Sequence, residues 1–136
     1  MDKCELCQPP VYPIVWKNSK FRIIEIDDSS YSAYYRVEHI QHIKEMADLD
    51  ESERDELMKA VFIVESAIKI YYKPDKINLA SLGNLTPHVH WHVIPRFYDD
   101  NHFPGSIWSE QKKFKKTKIS SQVRKNINSF IIKNLN

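Results

Sequence analysis

The chain of 136 residues predicts an α+β fold in which antiparallel strands pack beneath long helices. Three observations carry this expectation. Short β-branched runs bounded by turn residues come first. A long helix-period stretch follows Asp50, and two further strand-like runs, 77–82 and 88–95, are separated by a glycine-containing turn.

Taken in order, Gln8-Pro9-Pro10-Val11-Tyr12-Pro13 cannot form a helix or a central strand, because proline removes backbone donors and restricts the residue before it. It reads as an extended leader. Phe21-Arg22-Ile23-Ile24-Glu25-Ile26 reads as a strand that stops at the turn-forming Asp27-Asp28-Ser29-Ser30, and Tyr34-Tyr35-Arg36-Val37 as a second strand. Asp50 followed by Glu53 resembles a capping box, after which Leu57, Val61, Val64, Ile68 and Tyr71 recur on one helical face until Pro74. Ile77–Leu82 and His88–Pro95 then read as neighbouring antiparallel strands around Gly83. A terminal helix is expected from about Ser120 to Leu135.

Composition bounds the function. With 42% apolar and 12% aromatic residues, the chain can bury one core, so 1–136 is expected to be a single domain. No apolar run reaches the roughly 20 residues needed to span a bilayer, and Met1-Asp2-Lys3-Cys4-Glu5 lacks a signal-peptide core; both favour the cytoplasm and no membrane partner. Lys112, Lys113, Lys115, Lys116 and Lys118 form a basic stretch, but a net charge of +2 and few interleaved aromatics favour a solvated face over a nucleic-acid surface. Cys4-Glu5-Leu6-Cys7 reads as a metal-binding or redox pair, and Pro9-Pro10 directly after it argues against thioredoxin-like chemistry.

The most informative segment is His88-Val89-His90-Trp91-His92. In an extended strand alternate side chains share a face, so the three imidazoles are expected to converge opposite Val89, Trp91 and Val93. Two chemistries use such a row. Three imidazoles and a water would make an open zinc site, or one neutral imidazole could attack phosphorus while its neighbours donate hydrogen bonds.

His88-Val89-His90-Trp91-His92-Val93-Ile94 resembles the histidine triad (HIT) signature, in which each of the three histidines is followed by a hydrophobic residue. Pro95-Arg96 after it, Asn78 to Asn84 before it and Cys4-Glu5-Leu6-Cys7 extend the resemblance over about residues 4–108, leaving 109–136 as a basic extension and helix. The likeness is greatest to a bacterial branch labelled diadenosine polyphosphate hydrolase-like. It implies a HIT-like fold, an antiparallel sheet of about five strands with two main helices, paired into a homodimer through the helix spanning Asp50 to Tyr72. It also implies hydrolysis of nucleoside phosphoramidates or dinucleoside polyphosphates, adenosine nucleotides foremost, at the α-phosphate. His90 would then form a covalent nucleotidyl intermediate, and His92 would donate to phosphate. A histidine at position 92, where sugar-phosphate nucleotidyltransferases carry glutamine, favours the hydrolase side.

The same resemblance assigns Asp27 to the ribose hydroxyls, Ile26 to an apolar base slot and Asn84 to phosphate. Two positions depart from the family pattern. Asn84, followed by Leu85, stands where many relatives have glutamine and serine, and Tyr34 where many have histidine. A phenol can donate a hydrogen bond but cannot reproduce imidazole proton transfer at neutral pH. In relatives with the cysteine pair, a structural zinc is completed by two histidines, here His42 and His88, giving a closed set with Cys4 and Cys7. His39, the neighbouring alternative to His42, reads as a surface or helix-approach histidine, and His102 as a loop residue. Two rival readings keep the same residues: a zinc hydrolase using all three triad histidines as ligands, and a nucleotide-binding or scaffolding protein with weak turnover.

Overall fold

A computed structural model describes residues 4–136. A five-stranded antiparallel sheet is built from β1 (Ile14–Lys17), β2 (Phe21–Ile26), β3 (Tyr34–His39), β4 (Lys76–Ala80) and β5 (His90–Arg96), in the order β1-β2-β3-β5-β4. Two helices, α1 (Glu51–Tyr71) and α2 (Ser121–Leu135), complete the fold. β1 lies in the segment just after the proline-rich leader, and its short Ile-Val-Trp-Lys sequence carries no alternation that marks a strand.

The pairing register sorts the side chains into two faces, because residues directly opposite in an antiparallel ladder point the same way. Ile23 pairs with Val37, Val37 with Trp91, and Tyr35 with Val93, and these face the helices. Ile24 pairs with Arg36 and Arg36 with His92, while Arg22 pairs with Glu38 and Glu38 with His90. The second set occupies the helix-free face. One side of the sheet is therefore core, and the other is available for chemistry.

The helix boundaries follow from capping. Asp50 accepts a hydrogen bond from the Glu53 backbone N–H at 2.8 Å, as an N-cap residue should. The reciprocal half of the expected capping box is missing, because the Glu53 carboxylate is engaged by His39 Nε2 at 3.0 Å instead. Leu57, Val61, Val64 and Ile68 are fully buried, each contributing roughly 1.5–3 kcal/mol of apolar burial. Tyr71, expected on the same stripe, is instead exposed at the last helical residue, where its ring meets Phe130 of α2 edge-on. Ser120 caps α2, and Ile127 and Ile131 enter the same core cluster as the α1 stripe.

No helix among the described residues is long and apolar enough to cross a membrane.

Candidate active site and metal centre

β5 begins at His90, two residues later than the alternation suggests, and this separates the histidines. His90 and His92 share the helix-free face with ring centroids 5.0 Å apart. His88 lies before the strand and turns away from them, so the expected convergence of three imidazoles on one face does not occur. Its Nε2 donates to the His39 carbonyl at 2.6 Å, leaving the Nδ1 lone pair to point at sulfur. Nδ1 lies 3.5 Å from Cys4 Sγ and 3.6 Å from Cys7 Sγ, and His42 Nδ1 lies 3.2 Å from Cys7 Sγ.

All four ligand atoms lie within 4.8 Å of one another. A tetrahedral ion with ordinary zinc–sulfur and zinc–nitrogen bonds holds its sulfur and nitrogen ligands about 3.5 Å apart, so the donor set and its spacing fit such an ion. The carbonyl behind His88 is the second partner that orients a metal-binding imidazole.

His90 is held the other way round. Its Nδ1 donates to the His88 carbonyl at 2.6 Å, which fixes the proton on Nδ1 and leaves the lone pair on Nε2. Ser81, just beyond β4, donates to the His90 carbonyl at 2.7 Å and pins the strand there. His92 Nδ1 lies 2.6 Å from the Tyr34 hydroxyl; with the phenol donating, the His92 N–H falls on Nε2. Burial, with the neighbouring His90 ring and the Arg36 guanidinium adding to it, pushes the His92 imidazole down to about 3, so it is neutral at pH 7. Burial likewise raises the Tyr34 phenol well above its usual range and keeps it a donor. Tyr34 thus acts as the orienting partner of His92.

Trp108 closes the other side of His92, with ring centroids 4.9 Å apart and an edge-on geometry. Its loop is anchored by Arg96, which is buried and donates to both Asp100 oxygens, to Asn78 Oδ1 and to the Gly105 carbonyl. Burial acts to raise the Asp100 carboxyl. Arg96 and the backbone N–H groups of His102 and Phe97 outweigh it and hold the carboxyl well below the usual range. His102 does lie in a loop, but it is buried, with Nδ1 2.5 Å from the Tyr31 hydroxyl. His39 is also buried, not a surface residue: Nε2 donates to Glu53 and Nδ1 accepts from the Gln41 N–H.

The remaining expected site residues are less concentrated. Ile26 packs against Tyr34, one contact removed from His92. Asp27 is exposed just beyond β2 and, with Ile26, lines a cleft bounded by Ser32, Lys118 and Arg124, which the imidazoles do not line. Asn84 is exposed in the loop between β4 and β5, just after Gly83, whose φ of +70° suits the turn. Reasoning from sequence missed Arg36, Glu38, Asp100 and Trp108. The available signals were a charged pair at alternate positions of an apolar strand, Arg36 and Glu38, and an Arg-to-Asp spacing of four residues after β5.

An antiparallel sheet with one helix-free face, a strand-borne imidazole pair and a Cys/His cluster at its margin defines a compact class of α+β proteins. Residues 13–99 match the HIT domain family model, and the chain belongs to the HIT family. It is similar to a histidine triad protein from Bradyrhizobium japonicum, with a TM-score of 0.72 and 26% identity, covering 91% of this chain and 90% of that one. A zinc-bound histidine triad family protein from Mycobacterium smegmatis shares the fold, with a TM-score of 0.64 and 16% identity, covering 97% and 95% of the two chains. Bis(5'-adenosyl)-triphosphatase of Saccharomyces cerevisiae is 34% identical over 61 residues, 41% of this chain and 30% of that protein. The chain thus spans under a third of the length of the curated relatives it matches.

Proposed function

We propose that this protein hydrolyses nucleotides at the α-phosphate through a nucleotidyl-histidine intermediate on His90. The observation that carries the reading is the hydrogen bond from His90 Nδ1 to the His88 carbonyl, which commits the Nε2 lone pair to the open face beside His92. A neutral imidazole so fixed is a nucleophile in waiting. Nε2 forms a bond to phosphorus as the bond to the leaving group breaks, and the His92 Nε2–H donates to the phosphate oxygens as charge develops. Water then cleaves the phosphorus–nitrogen bond, releasing the nucleoside monophosphate and returning His90 to its neutral form.

The similarity to a bis(5'-adenosyl)-triphosphatase supports adenosine nucleotides as the substrate class, with phosphoramidates and dinucleoside polyphosphates as the two candidate forms. Asp27 would bind the ribose and Ile26 the base. The packing of Ile26 on Tyr34 supports that side of the site. Asn84 would reach phosphate from the loop preceding β5. Mass spectrometry of protein quenched with adenosine phosphoramidate or diadenosine triphosphate tests the mechanism: a nucleotidyl adduct on His90 is expected, and an adduct-free protein that still turns over would refute it.

Cys4, Cys7, His42 and His88 would hold a structural zinc, as the zinc-bound mycobacterial relative and the spacing of the four ligand atoms both support. Bound there, the metal would tie the leader to the sheet and supply no catalytic water, since four protein ligands leave no open position. This arrangement disfavours the reading in which all three triad histidines hold a catalytic metal, because His88 faces the thiols. Exposed Phe62 and Ile70 on α1, and the position of β4 at the end of the sheet, support a twofold homodimer. Light scattering at micromolar concentration should give twice the chain mass.

A further inference from the structure

Resting on the reading above, we propose that Arg36 is a phosphate-binding group of the active site, its guanidinium held by Glu38 beside His90 and His92 to engage the non-bridging oxygens of the α-phosphate. In the ladder between β3 and β5, Arg36 stands opposite His92 and Glu38 opposite His90, so all four side chains rise from the same helix-free face. Glu38 is wholly buried and carries two arginines: one oxygen accepts from Arg22 Nε at 2.6 Å, and the other from Arg36 Nε.

Two guanidiniums against one carboxylate leave one positive charge uncompensated on a largely buried surface, which is costly unless an anion completes it. The two arginines are not equivalent. Arg22 spends Nη2 on the Leu6 and Gln8 carbonyls of the leader. Arg36 keeps both terminal nitrogens without a hydrogen-bonding partner among the described residues, and its side chain retains 21% exposure. A buried carboxylate already neutralised by Arg22 does not need a second arginine for its own sake. Planar terminal N–H groups oriented through Nε are the donor arrangement that matches two oxygens of a phosphate, and charge on those oxygens grows as His90 attacks.

The test uses the purified full-length protein, with AMP and adenosine as calorimetric ligands and the melting temperature of each variant recorded. Wild-type protein should prefer AMP to adenosine by at least about tenfold. Arg36→Gln should lose most of that preference while adenosine affinity stays within about twofold, and Arg36→Lys should fall between them. Added guanidinium ion should restore part of the lost phosphoramidate turnover in Arg36→Gln, a rescue that a purely structural arginine would not show. Unchanged AMP preference in Arg36→Gln, or equal loss of AMP and adenosine binding in both variants, would overturn the assignment and leave the hydrolase reading standing. A wild-type protein indifferent to the phosphate would sink the hydrolase reading and this assignment with it.

Discussion

His88 and His90 lie two residues apart and are both buried, yet their rings present opposite nitrogens. His88 donates through Nε2 to the His39 carbonyl and shows Nδ1 to two cysteines; His90 donates through Nδ1 to the His88 carbonyl and shows Nε2 to the open face. One backbone carbonyl in each case decides which nitrogen keeps its lone pair, and hence whether the ring suits a metal or a phosphorus atom. The two regions are also joined physically, since Arg22 connects the leader carbonyls to Glu38, which lies opposite His90.

The sharpest way to break this comparison is to remove each region in turn. His90→Ala should lower turnover of adenosine phosphoramidate by at least about 1,000-fold while AMP affinity stays within about tenfold, because the pocket survives the loss of its nucleophile. Near-normal turnover in that variant would remove His90 from the mechanism. With zinc held as proposed, replacing Cys4 and Cys7 together with serine should release it and destabilise the fold by roughly 2–5 kcal/mol, since metal affinity is coupled to the order of the leader. Turnover at low temperature should persist at least in part. Metal retained after the cysteine change, together with metal and activity lost on changing His90, would reverse the assignment of the two regions.

A smaller effect is expected from pH. Folding holds His92 at about 3, below its ordinary 6.5, so the unfolded chain takes up that proton first. The stabilisation is complete above about pH 6.5 and is lost as the pH falls toward 3. Urea midpoints should therefore drop between pH 7 and pH 5 in wild type and drop less in His92→Gln. Equal slopes would show that His92 is not the group held neutral. Asp100 does not confuse this window, because its carboxyl ionises below its ordinary value of 3.8.

The smallest effect concerns the residue before Tyr34. Ala33 adopts a φ of +55°, a left-handed conformation that disfavours a side chain. Ala33→Gly should stabilise the protein by up to about 1 kcal/mol, the relief of strain being partly offset by glycine's greater freedom when unfolded. A lower melting temperature in Ala33→Gly would refute the strain.

Much of the framework was legible in the residues. Asp50 and the 57–68 apolar stripe mark α1, because a cap and a period of 3.6 are local properties of the chain. The spacing of Cys4 and Cys7 left metal-binding and redox readings both open, whereas the alternation of His90 and His92 places them on one face once a strand is granted. β1 was illegible because an edge strand of four residues has too little pattern to distinguish it from an extended leader.

The sequence by itself determined which residue types were available: a row of histidines, a cysteine pair, and strands and helices of the right period. Only the tertiary structure decided their division of labour. The later start of β5 turns His88 toward the thiols, the β3–β5 register sets Arg36 and Glu38 beside the remaining imidazoles, and Tyr34 rather than solvent meets His92 Nδ1. Each of these depends on a contact between residues at least 50 positions apart. Local periodicity says which way a side chain points but not what it meets there.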